Sequence, residues 1–435
     1  MSREMKNSEL IFASKIPYFW EVRKMKDISN VITDYVASGS FKDLADNVKY
    51  LDSPDYAMLI RTADLSKKTN ANERPVYIDK HSYDFLHNSN LYGGEIILPN
   101  VGTIGEAYIV ENLYPKMSLA PNSIMLKTNY CDKYYYYYFN CDVGSLSLKS
   151  ISEDAVQSKF NKTNFKLLKV IVPPLLDQQA IANFLDDKCS KIDSAIAKQK
   201  AIANKLEIYK RTLIIDCVFG RTLVEKKRIE TEIDWVSELP LDWKTIPLKT
   251  LFVQRNNKNK DCIEKNLLSL SYGNIIKKSI NSNNGLVPES YEGYNIIENG
   301  DIVLRLTDLQ NDHKSLRTGL CTQHGIITSA YITLKPKNNV NSHYYRYVLH
   351  AYDLMKVFYT MGEGIRQSLT FDDIKKDIYV PLPSQKEQQQ IVSYLDNKCS
   401  QIDEAITRSS AIIEKLEEYK KSIIYEYVTG KKEVK

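Results

Sequence analysis

Residues Pro173 to Gly220 read PPLLDQQAIANFLDDKCSKIDSAIAKQKAIANKLEIYKRTLIIDCVFG, and a second version runs from Pro383 to Gly430 as PSQKEQQQIVSYLDNKCSQIDEAITRSSAIIEKLEEYKKSIIYEYVTG. One constant shift lays Pro173 on Pro383 and Gly220 on Gly430, without a gap and with nearly half the positions identical. Two unrelated amphipathic helices would not keep Gln178-Gln179 on Gln388-Gln389 and Lys188-Cys189-Ser190 on Lys398-Cys399-Ser400. The chain is therefore one unit written twice, and the repeat frames every later reading.

Both copies read as helix. In the first, apolar or small residues fall at Ile181, Leu185, Cys189, Ile192, Ile196, Ile202, Leu206, Tyr209, Leu213 and Cys217. The second gives Ile391, Leu395, Cys399, Ile402, Ile406, Ile413, Leu416, Tyr419, Ile423 and Tyr427. Steps of mostly three, four or seven make a single stripe close to a heptad pattern. Prolines stand just before each start, and Gly220 and Gly430 stand where a helix stops. At about 40 residues each rod would span roughly 60 Å. A rod with one apolar stripe needs a partner, and the other copy is at hand. The expectation is an antiparallel coiled coil, with Cys189 and Cys399 as small core residues. Leu185, Ile192, Leu206, Leu395, Ile402 and Leu416 are the candidates for a subunit interface.

The repeat extends upstream. Gln157-Ser158 falls on Gln367-Ser368, and the Tyr134 run falls on the stretch His343-Tyr344-Tyr345-Arg346-Tyr347, with Tyr134 on Tyr344. Ile16-Pro17 leads to Trp20 as Leu239-Pro240 leads to Trp243. Between these anchors the halves differ. Short apolar runs such as TIGEAYIV, NSIMLKT, GDIVLRL and SAYITLK, broken by Gly, Asn and Asp, read as strands. The periodicity of the tyrosine run argues for a packed aromatic helix over a base-stacking surface. The fold class is α+β: two mixed α/β bodies separated by two long helices, in a pseudo-twofold internal repeat. The segments are 1–172 and 222–382 for the bodies (the second with a linker), and 173–221 and 383–435 for the helical regions.

Composition sets limits. Among 435 residues the net charge is only +5, which neither demands nor excludes a nucleic-acid partner. Seven cysteines without a CxxC pair suit reduced thiols. No run of about 18 apolar residues occurs and no signal peptide is recognisable, so a cytoplasmic protein with no membrane partner is expected. The phosphate-loop pattern GxxxxGK[ST] is missing, as are an NPPY-like tetrapeptide and the HxE…PCxxC, HExxH and GxSxG patterns. Pairs such as Glu264-Lys265 arise freely in a chain that is 26% charged, and carry no catalytic argument.

IPxxW, a variable body, a Pro-rich step, Gln-Gln near a helix start, KCSxID and KLExYK together resemble the specificity subunits of type I restriction-modification systems. DWVSELPLDW, around Trp235 and Trp243, resembles the joint opening the second recognition domain, and the two Gln-Ser pairs resemble the ends of those domains. One departure is PPLLDQQ, where Asp177 replaces the usual glutamate. The resemblance implies a non-catalytic subunit that directs methylation and restriction to a bipartite target in double-stranded DNA. The implied partners are two methylation subunits and restriction subunits; S-adenosylmethionine, ATP and Mg are bound by those partners, and this chain holds no cofactor or metal. The alternative is a specificity chain of a related restriction system with cleavage bundled into the complex. Bases are read by Arg, Lys, Asn and Gln, whose donors and acceptors match the groove pattern. Such residues on turn-rich segments are the candidates: Arg61, Asn100, Thr103, Gln157 and Lys159 in the first body, and Arg305, Gln310, Arg317, Arg366 and Gln367 in the second. Lys277 and Lys278 are the candidate phosphate contacts.

Overall fold

The structure is a computed structural model and describes residues 4–66, 74–153, 158–278, 290–310, 316–361 and 368–434. The chain divides into two compact units, and the first is not a continuous stretch: 1–198 combines with 412–435, while the second is 199–411. Both dividing points fall inside the long helices Leu175–Val218 and Gln385–Val428. Each helix gives its first half to the body that precedes it. The second half of Leu175–Val218 belongs to the second unit, and the second half of Gln385–Val428 returns to the first.

The two long helices pack antiparallel. In the first unit Lys420 Nζ donates to Asp193 at 2.6 Å, and the Phe184 and Tyr427 rings lie 4.3 Å apart. In the second, Lys210 Nζ donates to Asp403 at 2.6 Å. These are the same ion pair exchanged, because the repeat lays Asp193 on Asp403 and Lys210 on Lys420.

The apolar stripe is largely consumed inside the chain. Ile181, Leu185 and Cys189 join Ile423, Ile424 and Val428 in the first core. Leu213, Ile214 and Cys217 join Ile391, Leu395, Cys399 and Ile402 in the second. Each such Leu or Ile contributes about 1.5–3 kcal/mol by leaving water. This corrects the interface expectation. Leu185 and Leu395 are fully buried, Ile192 and Ile402 nearly so, and all four serve intrachain packing. Leu206 and Leu416 are half-buried. Open positions lie at mid-helix instead, where Ile202, Tyr209, Ile412 and Tyr419 are exposed.

Each body is closed by a two-stranded antiparallel ribbon joining its beginning to its end. Glu21–Lys24 pairs with Lys169–Val172, and Lys244–Pro247 pairs with Tyr379–Leu382. The IPxxW start and the Pro-rich step are thus neighbours. Trp20 Nε1 donates to Asp177 at 2.9 Å, and Trp243 Nε1 donates to Glu387 at 3.3 Å. The substitution of Asp177 for glutamate keeps the carboxylate that the tryptophan needs. Gly430 and Gly220 finish the clasp. Both are left-handed, at φ +71 and +64, and a Cβ would collide with Pro17 and Trp20 in one unit and with Pro240 and Trp243 in the other.

Inside each body a four-stranded antiparallel sheet carries an aromatic helix. The first sheet runs Tyr108–Ile109, Ile96–Pro99, Ser123–Thr128, Ser29–Asp34; the second runs Phe252–Gln254, Ile332–Pro336, Ile302–Leu304, Thr318–Leu320. Central strands such as Ile96–Pro99 and Ile302–Leu304 are buried throughout, which is why they read as unbroken apolar runs. The tyrosine run forms the helix Asp132–Phe139, with Tyr134, Tyr135 and Tyr138 fully buried. Tyr134 Oη donates to the Val428 carbonyl at 2.9 Å, and Tyr344 Oη repeats the bond to Val218 at 3.0 Å. Tyr137 and Tyr347 likewise donate to Asp186 and Asp396. The tyrosines therefore anchor the bodies to the long helices. A five-stranded second sheet exists in the first body, whereas the described residues of the second body form the hairpin Leu268–Ser271/Asn274–Lys277 and the long-range pair Asn295–Ile297/Gly325–Ile327.

Candidate nucleic-acid interface

In each body the loop leaving the central strand is zipped to the segment that returns toward the long helix. In the first body Asn100 N donates to the Asn122 carbonyl at 3.1 Å, while the Asn100 carbonyl accepts from Phe160 N at 3.0 Å. Gly102 N donates to the Ser158 carbonyl at 3.0 Å, and Val101 bridges Lys159. Lys159, distant in sequence, is thereby brought beside the loop that carries Asn100 and Thr103. Thr103 and Lys159 are exposed, and Asn100 is half-buried with its Nδ2 held by the Phe160 carbonyl at 3.0 Å. Arg61 is half-exposed, but its guanidinium is engaged by Asp64 at 2.7 Å and by the Arg74 carbonyl at 3.0 Å.

The second body repeats the zipper. Leu369 N donates to the Leu306 carbonyl at 2.8 Å, just after the strand Ile302–Leu304. Arg305 and Gln310 lie on this loop, half-buried and exposed respectively. Gln157, Arg366 and Gln367 lie outside the described residues. Lys277 and Lys278 are exposed on the second arm of the hairpin Leu268–Ser271/Asn274–Lys277, whose Leu270 and Ile275 cover Gly319.

Arg317 requires a correction. The expectation put it on a base edge, yet it is fully buried. Its Nη1 donates to the carbonyls of Arg305 at 3.0 Å and Thr307 at 2.8 Å, its Nη2 to Asp308 at 3.4 Å, and its Nε to Tyr359 Oη at 3.0 Å. The guanidinium sits over the Tyr359 ring, and its backbone N–H is held by Asp353. A fork of five donors suits several carbonyls that no sheet satisfies. Arg317 shapes the loop from inside and presents nothing to a groove.

The first body fixes its loop differently. Asn140 Nδ2 donates to the Ala107 carbonyl at 2.9 Å, and Ala107 N donates to Asn140 Oδ1 at 3.1 Å. The repeat places His350 at the matching position. His350 is buried, its Nδ1 has no partner, and burial together with Arg346, Lys210 and Arg211 pushes its pKa down to about 3. It also lines a cavity of about 650 Å³ with Arg346, Lys210 and Asp396.

Sequence reasoning missed the tryptophan clasps and an apolar hollow beside the first zipper, lined by Phe41, Tyr50 and Asn100. The pattern SFKD, a capping box placing Phe41 at a helix start, was the available signal for the hollow. Among the described residues no group of three or more His, Cys, Asp or Glu could hold a metal ion, and no helix is long and apolar enough to cross a membrane.

A doubled recognition body clasped to a doubled helix defines a class, and the comparisons agree on it. The family model for the type I restriction modification DNA specificity domain matches residues 17–213 and again 240–418, so the chain belongs to that family and is a specificity subunit. It is 25% identical over 439 residues to the type I restriction enzyme MjaX specificity subunit of Methanocaldococcus jannaschii, covering 97% of this chain and 95% of that one. It is 22% identical over 293 residues to the EcoBI specificity subunit of Escherichia coli, covering 62% and 59% of the two chains. A chain solved in work on complex assembly and conformational transition of the type I R-M system shares the fold at TM-score 0.66 and 12% identity, covering 96% of this chain and 99% of that one.

Proposed function

We infer that this subunit reads a split DNA target, one half-site per body, and has no catalytic activity of its own. The observation that carries the reading is the doubled zipper: each body places a polar loop and a returning segment at the same position of the same sheet, with different side chains. Like architecture with unlike side chains suits two readers of unlike sequence. S-adenosylmethionine, ATP and Mg belong to the partner subunits, which act in the cytoplasm on double-stranded DNA.

The repeated helices support docking of two copies of one methylation partner, with restriction subunits joining through the assembled complex. The matched exposed pairs Ile202/Tyr209 and Ile412/Tyr419 are the best surface for this role. Exchanging 17–172 for the first body of another family member tests the modular reading. Mapping methylated sites in the host should then show one half-site changed and the other kept. A change in both halves, or in neither, would defeat it.

A further inference from the structure

We propose that the hollow beside the first zipper receives one unstacked nucleotide of the target. The proposal rests on the DNA-reading function above and adds a mode of contact to it. The cavity is about 490 Å³, with walls from Tyr35, Leu44, Val48 and Pro121. Two aromatic rings that a folded domain would ordinarily cover stand at it uncovered: Phe41 is 83% exposed and Tyr50 is 54% exposed. Each base has a π-face, so an exposed ring pair beside a DNA-reading loop matches a base.

The polar atoms fit the same occupant. Asn100 lines the hollow, and its Nδ2 is committed to the Phe160 carbonyl at 3.0 Å, which ties this wall to the returning segment of the zipper. The carboxylate lining the hollow, Asp34, is neutralised by Lys162 at 2.8 Å. Lys42 follows Phe41, and Lys159 bridges the lining residue Val101; both are exposed with no carboxylate partner among the described residues. Apolar walls, two exposed rings and cations at the margin suit a nucleotide, with its base inward and its phosphate outward. An apolar peptide would satisfy the walls and leave the lysines without a counterpart.

The test uses the full chain assembled with its methylation subunits and a DNA duplex carrying the target mapped in the host. The Phe41→Ala/Tyr50→Ala variant should lose about ten- to a hundredfold in affinity for that duplex and keep its affinity for non-target DNA. With 2-aminopurine placed at each base of the first half-site in turn, one position should brighten with the wild type and not with the variant. Both side chains are exposed, so folding should survive. Lys42→Gln and Lys159→Gln give a second arm, each lowering the salt dependence of binding by about one phosphate contact. Equal affinity and an identical 2-aminopurine response from wild type and variant would overturn the proposal. So would a loss of partner assembly with DNA binding intact, which would mark the hollow as a protein-docking site. A wild type that does not distinguish target from non-target DNA would instead overturn the DNA-reading function itself.

Discussion

The first body holds the loop after its central strand with one amide, Asn140 on Ala107, while the second holds its corresponding loop with a buried guanidinium, Arg317 on three carbonyls. Around these struts the framework that meets the long helices repeats: the closing ribbon, the tryptophan clasp, the tyrosine anchor and the glycine stop. The comparison teaches where sequence is free to drift. Positions facing the long helices must satisfy a partner that is itself a copy, so they stay alike. Positions inside the loops answer to nothing shared between the halves.

The largest effect should come from breaking the exchange of helix halves. Removing 412–435 strips Ile423, Ile424 and Val428 from the first core and removes the carbonyl that Tyr134 donates to. Losing three buried aliphatics costs about 5–9 kcal/mol, comparable to the stability of a whole domain. Hydrogen exchange should show Asp132–Phe139 unprotected while Ser342–Leu354 stays protected. Retained protection in the tyrosine helix would show that the first body does not need the C-terminal segment.

The struts come next. Arg317→Met leaves several buried carbonyls without donors and should cost about 3–5 kcal/mol. Asn140→Ala loses two hydrogen bonds and should cost about 1–2 kcal/mol. Methylation mapping should find the second half-site relaxed by the first variant and the first half-site relaxed by the other, with assembly kept. If Arg317→Met leaves second half-site recognition intact, the loop does not depend on its strut.

Much of the shared framework was legible in the sequence because helical period and repeat are local signals. The rods, their pairing and the glycine stops followed from residues that recur. The burial of the tyrosine run followed from its periodicity. The site was less legible. Arg317 looks like Arg305 in sequence, and only the packing of the strand Thr318–Leu320 against Ile302–Leu304 turns it inward. The interface residues failed for a related reason: a stripe tells that a face is buried without saying by what, and the bodies cover most of it. Asn100 and Lys159 were individually visible, but their meeting depends on a long-range zipper that no local pattern records.

Acidity should separate the two halves by a smaller amount. His350 stays neutral when folded because burial lowers its pKa to about 3, whereas an unfolded histidine protonates near 6.5. The folded state therefore binds fewer protons, and stability from this site is present above 6.5 and lost as pH falls toward 3. The loss approaches about 1.4 kcal/mol per pH unit within that window. Asn140, at the same position of the first unit, does not titrate. The second unit's melting temperature should fall between pH 6.5 and 5 in the wild type and fall less in His350→Asn. Equal slopes would show that other groups govern the acid response.

The smallest effect probes whether the exchanged ion pairs are equivalent. Lys420–Asp193 and Lys210–Asp403 have the same chemistry and similar exposure, 30% and 44% for the first against 28% and 56% for the second. Partly exposed pairs contribute at most about 1 kcal/mol, because water screens the charges and both long side chains lose freedom. Their value lies in register: a slip of one helix along the other would separate both pairs at once. Lys420→Asp alone should lower the melting temperature by about 2–4 °C, and adding Asp193→Lys should restore most of it. The reversal at Lys210 and Asp403 should give the same coupling within about 0.5 kcal/mol. Unequal couplings would mean that the bodies, which differ, bear on the helices differently in the two units, and the repeat would then be one of sequence more than of energetics.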